Sequence, residues 1–220
     1  MIGIIIAMDK ELAPYLSGRE FVKNNWGGLD FFSLKIGDKD CVIVKSGIGK
    51  VNASYATTLL IERFHPEYIV STGVSGGLGV SKLFDIVVST KTVQHDVDTT
   101  ALGDELGLVS TVNKIYFDAS SELVDKFVKF GAKSGVLASG DIFVSSKERA
   151  EFIKNHFNAI ACDMESGAIA QIAYITNTPY VAIRCISDNA DDGADFDYEK
   201  FVLVACDKLY QVVEQAVLQK

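Results

Sequence analysis

Three acidic residues each follow one of the most apolar, strand-like segments of the sequence. Glu11 comes after residues 2–8, Glu165 after residues 160–164 and Asp188 after residues 180–187. In α/β proteins ligands bind at the carboxyl ends of strands, so these acids are expected to meet in one cleft where carboxylates could act as catalysts. Acidic residues are also favoured at helix N-termini, and each acid alone would suit a capping role. The three together favour a functional site.

Two glycine-containing segments stand next to predicted strands or helices. Residues 72–79 read Thr-Gly-Val-Ser-Gly-Gly-Leu-Gly after a strand, where glycines would let backbone amides approach a ligand or would form a turn. Residues 46–50 read Ser-Gly-Ile-Gly-Lys before a helix and superficially resemble a phosphate loop. Val51 stands where that loop needs Ser or Thr, which excludes an ATP-binding interpretation.

The remaining candidates for chemistry are weaker. His95 lies in His-Asp-Val-Asp, where we favour a hydrogen-bonded loop residue over a metal ligand. The four cysteines, Cys41, Cys162, Cys185 and Cys206, lack the paired spacing of a metal site. We therefore expect reduced thiols and no metal ion, and no Gly-x-Ser-x-Gly motif indicates a serine hydrolase.

Composition narrows the class of protein. The 220 residues include 21 Lys and Arg against 29 Asp and Glu, a net charge of −8, and 48% are hydrophobic. This is typical of a globular chain, and the negative charge without a basic cluster argues against nucleic-acid and membrane-surface binding. Residues 1–8 have no preceding basic residue, unlike a signal peptide, so we expect a cytoplasmic protein.

Apolar runs and helical patterns alternate along the chain, which is typical of a sheet covered by helices. The pattern predicts an α/β sandwich in one domain, residues 1–220. Strands are predicted at residues 2–8, 31–36, 41–44, 68–74, 86–89, 135–139, 160–163 and 180–186. Helices are predicted at residues 11–15, 50–64, 120–130, 146–156, 166–175 and 198–219.

Six motifs, taken in order and spacing, resemble the 5′-methylthioadenosine/S-adenosylhomocysteine nucleosidases. They occupy residues 7–11, 46–53, 72–78, 95–98, 163–165 and 184–188. The resemblance extends over nearly the whole chain. It implies the purine nucleoside phosphorylase and uridine phosphorylase fold, a three-layer α/β/α sandwich around a mixed, partly barrel-like sheet, and a homodimer.

The resemblance also implies an activity that needs no cofactor. Members of this family hydrolyse the N-glycosidic bond of 5′-methylthioadenosine and S-adenosylhomocysteine, releasing adenine and the 5′-thio-substituted ribose. By position, Glu11 is similar to the group that orients and deprotonates the attacking water, and Asp188 to the acid that protonates N7 of adenine. Cleavage builds positive charge on the ribose and negative charge on the purine, which requires both groups.

The same resemblance implies a set of substrate-binding residues. Glu165 would bind the ribose hydroxyls with Met164 under the sugar, and Arg184 would lie near the water and Glu11. Around the other parts of the nucleoside we expect Gly76, Phe143 and Val144 at the adenine, Met8, Ile48 and Tyr198 at the 5′-alkylthio group, and Ser187 next to Asp188. For Met8, Ile48 and Phe143, ordinary core packing is an equally good interpretation of the sequence.

Two departures from the family pattern leave questions open. Many relatives place Ser before Ala-Gly-Gly, whereas this chain has Val74 followed by Ser75, and whether Ser75 replaces the missing hydroxyl is undecided. Leu102 stands where relatives often carry Phe, in a segment that completes the partner subunit's pocket in the family. The preference among methylthioadenosine, S-adenosylhomocysteine, 5′-deoxyadenosine and futalosine-like nucleosides is therefore open.

Two alternative functions share this fold. A phosphate-dependent nucleoside phosphorylase would need arginines for the phosphate dianion. The four arginines are Arg19, Arg63, Arg149 and Arg184; none follows the first strand directly, and Glu11 there would repel phosphate. A non-catalytic nucleoside-binding protein would have no need to keep all three acids.

Overall fold

A ten-stranded mixed sheet forms the centre of the protein in the computed structural model, which describes residues 1–191 and 193–219. The strands are β1 (Ile2–Ile6), β2 (Phe21–Trp26), β3 (Leu29–Ile36), β4 (Lys39–Lys45), β5 (Tyr68–Gly77), β6 (Ile86–Gln94), β7 (Tyr116–Asp118), β8 (Lys133–Ser139), β9 (Ala159–Asp163) and β10 (Tyr180–Asp188). The helices are α1 (Asp9–Leu16), α2 (Lys50–Phe64), α3 (Ser121–Val128), α4 (Lys147–Phe157), α5 (Ser166–Ile175) and α6 (Ala194–Leu218).

Part of the sheet closes on itself. The strand order is β10-β6-β8-β9-β5-β1-β4-β3-β2, and β10 also pairs with β5, so β5, β10, β6, β8 and β9 form a ring. Strand β1 runs parallel to β4 and β5, whereas β2, β3 and β4 are antiparallel. This mixed, partly barrel-like sheet confirms the predicted fold class.

Helices cover both faces of the sheet, and β1 shows why its sequence is continuously apolar. Ile4 and Ile6 pack into one core with helices α1, α3 and α6, while Ile5 packs into a second core with α2 and α5. Successive side chains of a strand point to opposite faces, so a strand covered on both sides must be apolar throughout.

Several elements differ from the prediction, among them β6, which runs to Gln94 and does not end at residue 89. The glycine-rich segment is not a turn, because β5 continues through Gly77 and pairs with β10 and β9. Strand β2 was not predicted, since its mostly exposed residues show no apolar alternation. Helix α6 begins at Ala194, four residues earlier than predicted.

Among the described residues, no helix has the length and apolar character needed to cross a membrane.

Candidate active site

A cavity of about 320 Å³ lies where several strands end. Its walls come from the carboxyl ends of β1, β5, β9 and β10, from the loops before α2 and after β8, and from α6. All the predicted site residues except Arg184 line it: Met8, Glu11, Ile48, Gly76, Phe143, Val144, Met164, Glu165, Ser187, Asp188 and Tyr198. The three acids that follow distant strands therefore do converge.

Glu11 is held in a fixed position by backbone amides. Its carboxylate accepts hydrogen bonds from the amides of Ala7 at 3.2 Å, Met8 at 3.0 Å and Val74 at 2.9 Å. Burial raises the pKa of Glu11, and these hydrogen bonds together with the charge of Arg184 oppose the rise. Glu11 thus caps helix α1 and also presents a carboxylate of increased basicity to the cavity, as a general base requires.

Asp188 is the last residue of β10 and pairs with Gly76 of β5. Its Oδ2 accepts from the Ser187 hydroxyl at 2.9 Å, and its Oδ1 accepts from the amide of Ala190 at 2.9 Å. Burial raises the pKa of Asp188 despite these hydrogen bonds. A carboxyl group with a raised pKa keeps its proton more readily, which is what a general acid needs.

Glu165 lies at the start of α5 and faces the loop before α2. Its Oε1 accepts a hydrogen bond from the amide of Gly49 at 2.9 Å. Burial, and after it the negative charge of Asp163, raises the pKa of Glu165. The raised pKa favours the protonated carboxyl group, which can both accept hydrogen bonds from a polar ligand in the cavity and donate one to it.

Arg184 does not line the large cavity. It is fully buried, and its guanidinium bonds the carboxylate of Asp163 through Nη2 at 2.6 Å and Nε at 2.8 Å. It also donates to the carbonyl oxygen and the hydroxyl of Ser71, both at 2.9 Å. The guanidinium charge is thus compensated inside the protein, as a buried ion requires.

A second, much smaller cavity of about 10 Å³ adjoins this arginine. Glu11 and Glu165 line both cavities, while Arg184 and the hydroxyl-bearing Ser46, Ser71 and Thr72 line only the smaller one. A space of this size holds about one water molecule, and its lining offers several polar partners. The two glutamates therefore separate a water-sized space from the large cavity.

Aromatic and apolar side chains form the mouth of the large cavity. Tyr198 donates from its hydroxyl to Met8 Sδ at 3.1 Å, and its ring meets Phe143 edge-on at 6.0 Å between centroids. Phe143 and Ile48 are 45% and 50% exposed. Ordinary core packing therefore does not explain these two residues, because they line a cavity and face solvent.

A polar network that sequence reasoning missed ties the cavity loops together. Lys50 Nζ lies 2.7 Å from Asp96 Oδ1, and the other oxygen of Asp96 accepts from the amide of Asp141 at 2.9 Å. Asp141 Oδ1 in turn accepts from the amide of Lys50 at 2.7 Å. Lys50 and Asp96 belong to two of the six motifs of the sequence, but no pattern in the sequence specifies that residues so far apart in the chain are partners.

His95, beside this network, is a buried residue whose Nδ1 lies 3.3 Å from Arg149 Nη2. Within residues 1–191 and 193–219, no group of three or more His, Cys, Asp or Glu side chains is arranged to hold a metal ion.

A family model described as the phosphorylase superfamily matches residues 1–218. The chain belongs to this superfamily. A 5′-methylthioadenosine/S-adenosylhomocysteine nucleosidase from Staphylococcus aureus is 38% identical over 228 aligned positions, covering 100% of both chains. This similarity places the chain in the nucleosidase family and confirms the resemblance seen in the sequence.

Two solved structures from Helicobacter pylori agree with this assignment. The 5′-methylthioadenosine/S-adenosylhomocysteine nucleosidase with butyl-thio-DADMe-Immucillin-A superposes with a TM-score of 0.95 at 34% identity, covering 98% of this chain and 97% of the other. A futalosine hydrolase superposes with a TM-score of 0.94 at 33% identity, covering 98% and 96%. Both named activities are hydrolyses, although the superfamily is named for phosphorylases.

Proposed function

We propose that the protein hydrolyses the N-glycosidic bond of 5′-methylthioadenosine and S-adenosylhomocysteine, releasing adenine and the 5′-thio-substituted ribose. The observation that carries the proposal is the chemistry of the cavity wall. Four acidic residues and, in the described part of the chain, no Lys, Arg or His line it. The acidic residues are Glu11, Asp163, Glu165 and Asp188.

This wall favours water over phosphate as the attacking group. A phosphate dianion would face carboxylates without an arginine fork to bind it. The guanidinium of Arg184 lines the smaller cavity, but its charge is already paired with Asp163. The cavity of about 10 Å³ beside Glu11 is large enough for one water and too small for phosphate.

The geometry supports a division of labour between the acids. Breaking the bond leaves negative charge on the purine, which a proton from Asp188 to N7 would neutralise. Positive charge grows on the ribose, and a water activated by Glu11 would attack it from the opposite face. Glu165 would accept hydrogen bonds from the ribose hydroxyls. The positive charge of Arg184 would act on Glu11 and on the water, without contact to the nucleoside.

The remaining assignments follow the shape of the cavity. Adenine would stack on Phe143 near Gly76, with the backbone at Val144 reading its edge, and Met164 would lie under the sugar. The apolar mouth formed by Met8, Ile48 and Tyr198 would surround the 5′-thio substituent. A volume of about 320 Å³ is at the lower end of the range for small-molecule sites.

The protein would act in the cytoplasm as a homodimer, and each subunit would be a single domain of residues 1–220. Leu102, in the short 3₁₀ turn Thr100–Leu102, is 83% exposed, and Val51 at the start of α2 is 80% exposed. A second copy would cover such apolar side chains.

The four cysteines are free and buried, which suits a reducing compartment. The products would enter nucleoside catabolism and methionine salvage.

Adenine release from methylthioadenosine by two variants tests the roles of the acids. Asp188→Asn should lower kcat roughly 10²–10⁴-fold, the usual effect of losing a positioned general acid, while the nucleoside still binds. Glu11→Gln should abolish hydrolysis and keep binding of a transition-state analogue in calorimetry. Asp9→Asn is the matched control, since Asp9 is an exposed acid on the same helix. Near-normal turnover by Asp188→Asn would contradict the proposal.

A further inference from the structure

The hydroxyl of Ser75 is a buried polar group in the wall of the large cavity. Ser75 is only 5% exposed and belongs to the cavity wall. Its Oγ has no hydrogen-bond partner within residues 1–191 and 193–219. Buried hydroxyls in folded proteins are normally paired, because an unpaired one destabilises the folded state. A hydroxyl left unpaired at a cavity wall is therefore available to a ligand.

The position of Ser75 places it beside the proposed general acid. Strand β5 pairs Ser75 with Ile186 and Gly76 with Asp188. The Ser187 hydroxyl lies 3.4 Å from the carbonyl oxygen of Ser75 and 2.9 Å from Asp188 Oδ2. Ser75 and Asp188 therefore lie on neighbouring strands in the wall of the same cavity.

Gly76 lies opposite Asp188 on the neighbouring strand. Asp188 Oδ1 lies 2.9 Å from the point that a Cβ on Gly76 would occupy, so a side chain there would fill the space next to the acid. Without a side chain at Gly76, this space stays open between Asp188, Ala190 and the backbone of β5. On that strand, Ser75 carries the buried side-chain hydroxyl for which residues 1–191 and 193–219 offer no hydrogen-bond partner.

We infer that the Ser75 hydroxyl donates a hydrogen bond to N3 of the bound purine, which makes Ser75 a further substrate-binding residue. The inference rests on the proposed function. A purine offers N1, N3 and N7 as ring acceptors. The proposed function assigns N7 to Asp188. If the edge read by the backbone at Val144 is the one that carries N1, N3 is left for the Ser75 hydroxyl. A donor at N3 also stabilises the negative charge that develops on the departing base.

The test combines Ser75→Ala with 3-deaza-5′-methylthioadenosine, in which a carbon replaces N3. For methylthioadenosine we expect Ser75→Ala to lower kcat/KM about tenfold, the usual effect of losing one hydrogen bond. For the 3-deaza substrate the variant and the wild type should differ by less than about twofold, because the contact is already absent. Equal losses on both substrates would overturn the assignment to N3.

Two further measurements separate a binding role from a structural one. Ser75→Ala should raise the melting temperature of the unliganded protein, because an unpaired buried hydroxyl is removed. Ser139→Ala is the matched control. Ser139 is also buried and its hydroxyl has no partner in the described part of the chain, but it lies outside the cavity wall. It should leave kcat/KM unchanged. A lower melting temperature for Ser75→Ala, or an equal loss of kcat/KM in both variants, would overturn the inference.

Binding of 5′-methylthiotubercidin, which keeps N3 and lacks N7, gives a readout that needs no turnover. Calorimetry should show about tenfold weaker binding to Ser75→Ala than to the wild type. If the wild type releases no adenine but this difference appears, the proposed function fails and the contact stands. If the wild type turns over and neither kcat/KM nor analogue binding changes in the variant, the inference is wrong.

Discussion

Gly73 sets the position of the Glu11 carboxylate, and adding one methyl group there should disable the proposed general base. A Cβ on Gly73 would lie 2.5 Å from Glu11 Oε1 and 3.2 Å from its Cδ. Ordinary contact begins near 3.4 Å, so the carboxylate would have to retreat by about 1 Å. Gly73 is not among the glycines with positive φ, and alanine can adopt its backbone conformation.

The retreat would pull the carboxylate away from the amides that hold it and from the adjoining water-sized cavity. A misplacement of about 1 Å in a catalytic group can cost about 10²-fold in rate. We therefore expect Gly73→Ala to lower kcat for adenine release about 10²-fold. KM should change little, because Glu11 acts on the water and not on the nucleoside.

Steady-state kinetics of Gly73→Ala and of Gly135→Ala measure this effect against a matched control. Gly135 is also a strand glycine without positive φ, and its Cβ would lie 2.8 Å from the side chain of Ile160, outside both cavities. Both variants should lose some stability, but only Gly73→Ala should lose turnover. Equal kcat values for the two variants would refute the reasoning.

Three further predictions concern the electrostatics and the loops of the cavity. Burial raises the pKa of Glu165 above its ordinary value of 4.5, so folding favours the protonated side chain. The stability that this preference contributes is fully present below pH 4.5 and is lost as the pH rises. The melting temperature of Glu165→Gln relative to the wild type should therefore increase between pH 5 and pH 8 in calorimetry, and a constant difference would contradict this. Ser187→Ala removes a hydrogen bond that lowers the pKa of Asp188, so the alkaline limb of the kcat/KM profile should move to higher pH; an unmoved limb would argue against a protonated Asp188. Asp141→Ala removes the hydrogen bond from the amide of Lys50 that joins two loops of the cavity, so it should raise KM for methylthioadenosine several-fold and leave kcat within about twofold. The control is Asp98→Ala, which loses only exposed hydrogen bonds to Thr100 and should change neither constant.

The sequence predicted the parts of the molecule that depend on strong local patterns. The continuous apolar run in β1 predicted a strand buried on both faces, and the acids after distant strands predicted one cleft. Strand β2 escaped prediction because an edge strand needs no apolar face, and α6 begins earlier than its apolar pattern suggests. These are cases where tertiary packing, and not local preference, sets the structure.

For the candidate site, the sequence predicted most of the residues that line the cavity, but not the contacts that hold those residues in place. Arg184 was expected near the water and Glu11. It lies outside the large cavity and lines the water-sized space beside Glu11, with its charge paired to Asp163. The ion pair and hydrogen bonds among Lys50, Asp96 and Asp141 form between loops that are far apart in the sequence and meet only in the folded chain. The unpaired hydroxyl of Ser75 was equally invisible, since no pattern in a sequence shows which polar groups lack partners.

Product analysis of the purified protein with methylthioadenosine, with and without phosphate, tests the central claim most directly. Chromatography should show adenine and free methylthioribose in both buffers, and in ¹⁸O-labelled water the label should appear on the released sugar. Adenine release that requires phosphate, with a ribose 1-phosphate as the second product, would contradict hydrolysis and make the protein a phosphorylase. No adenine in either buffer would contradict the assignment of methylthioadenosine as substrate.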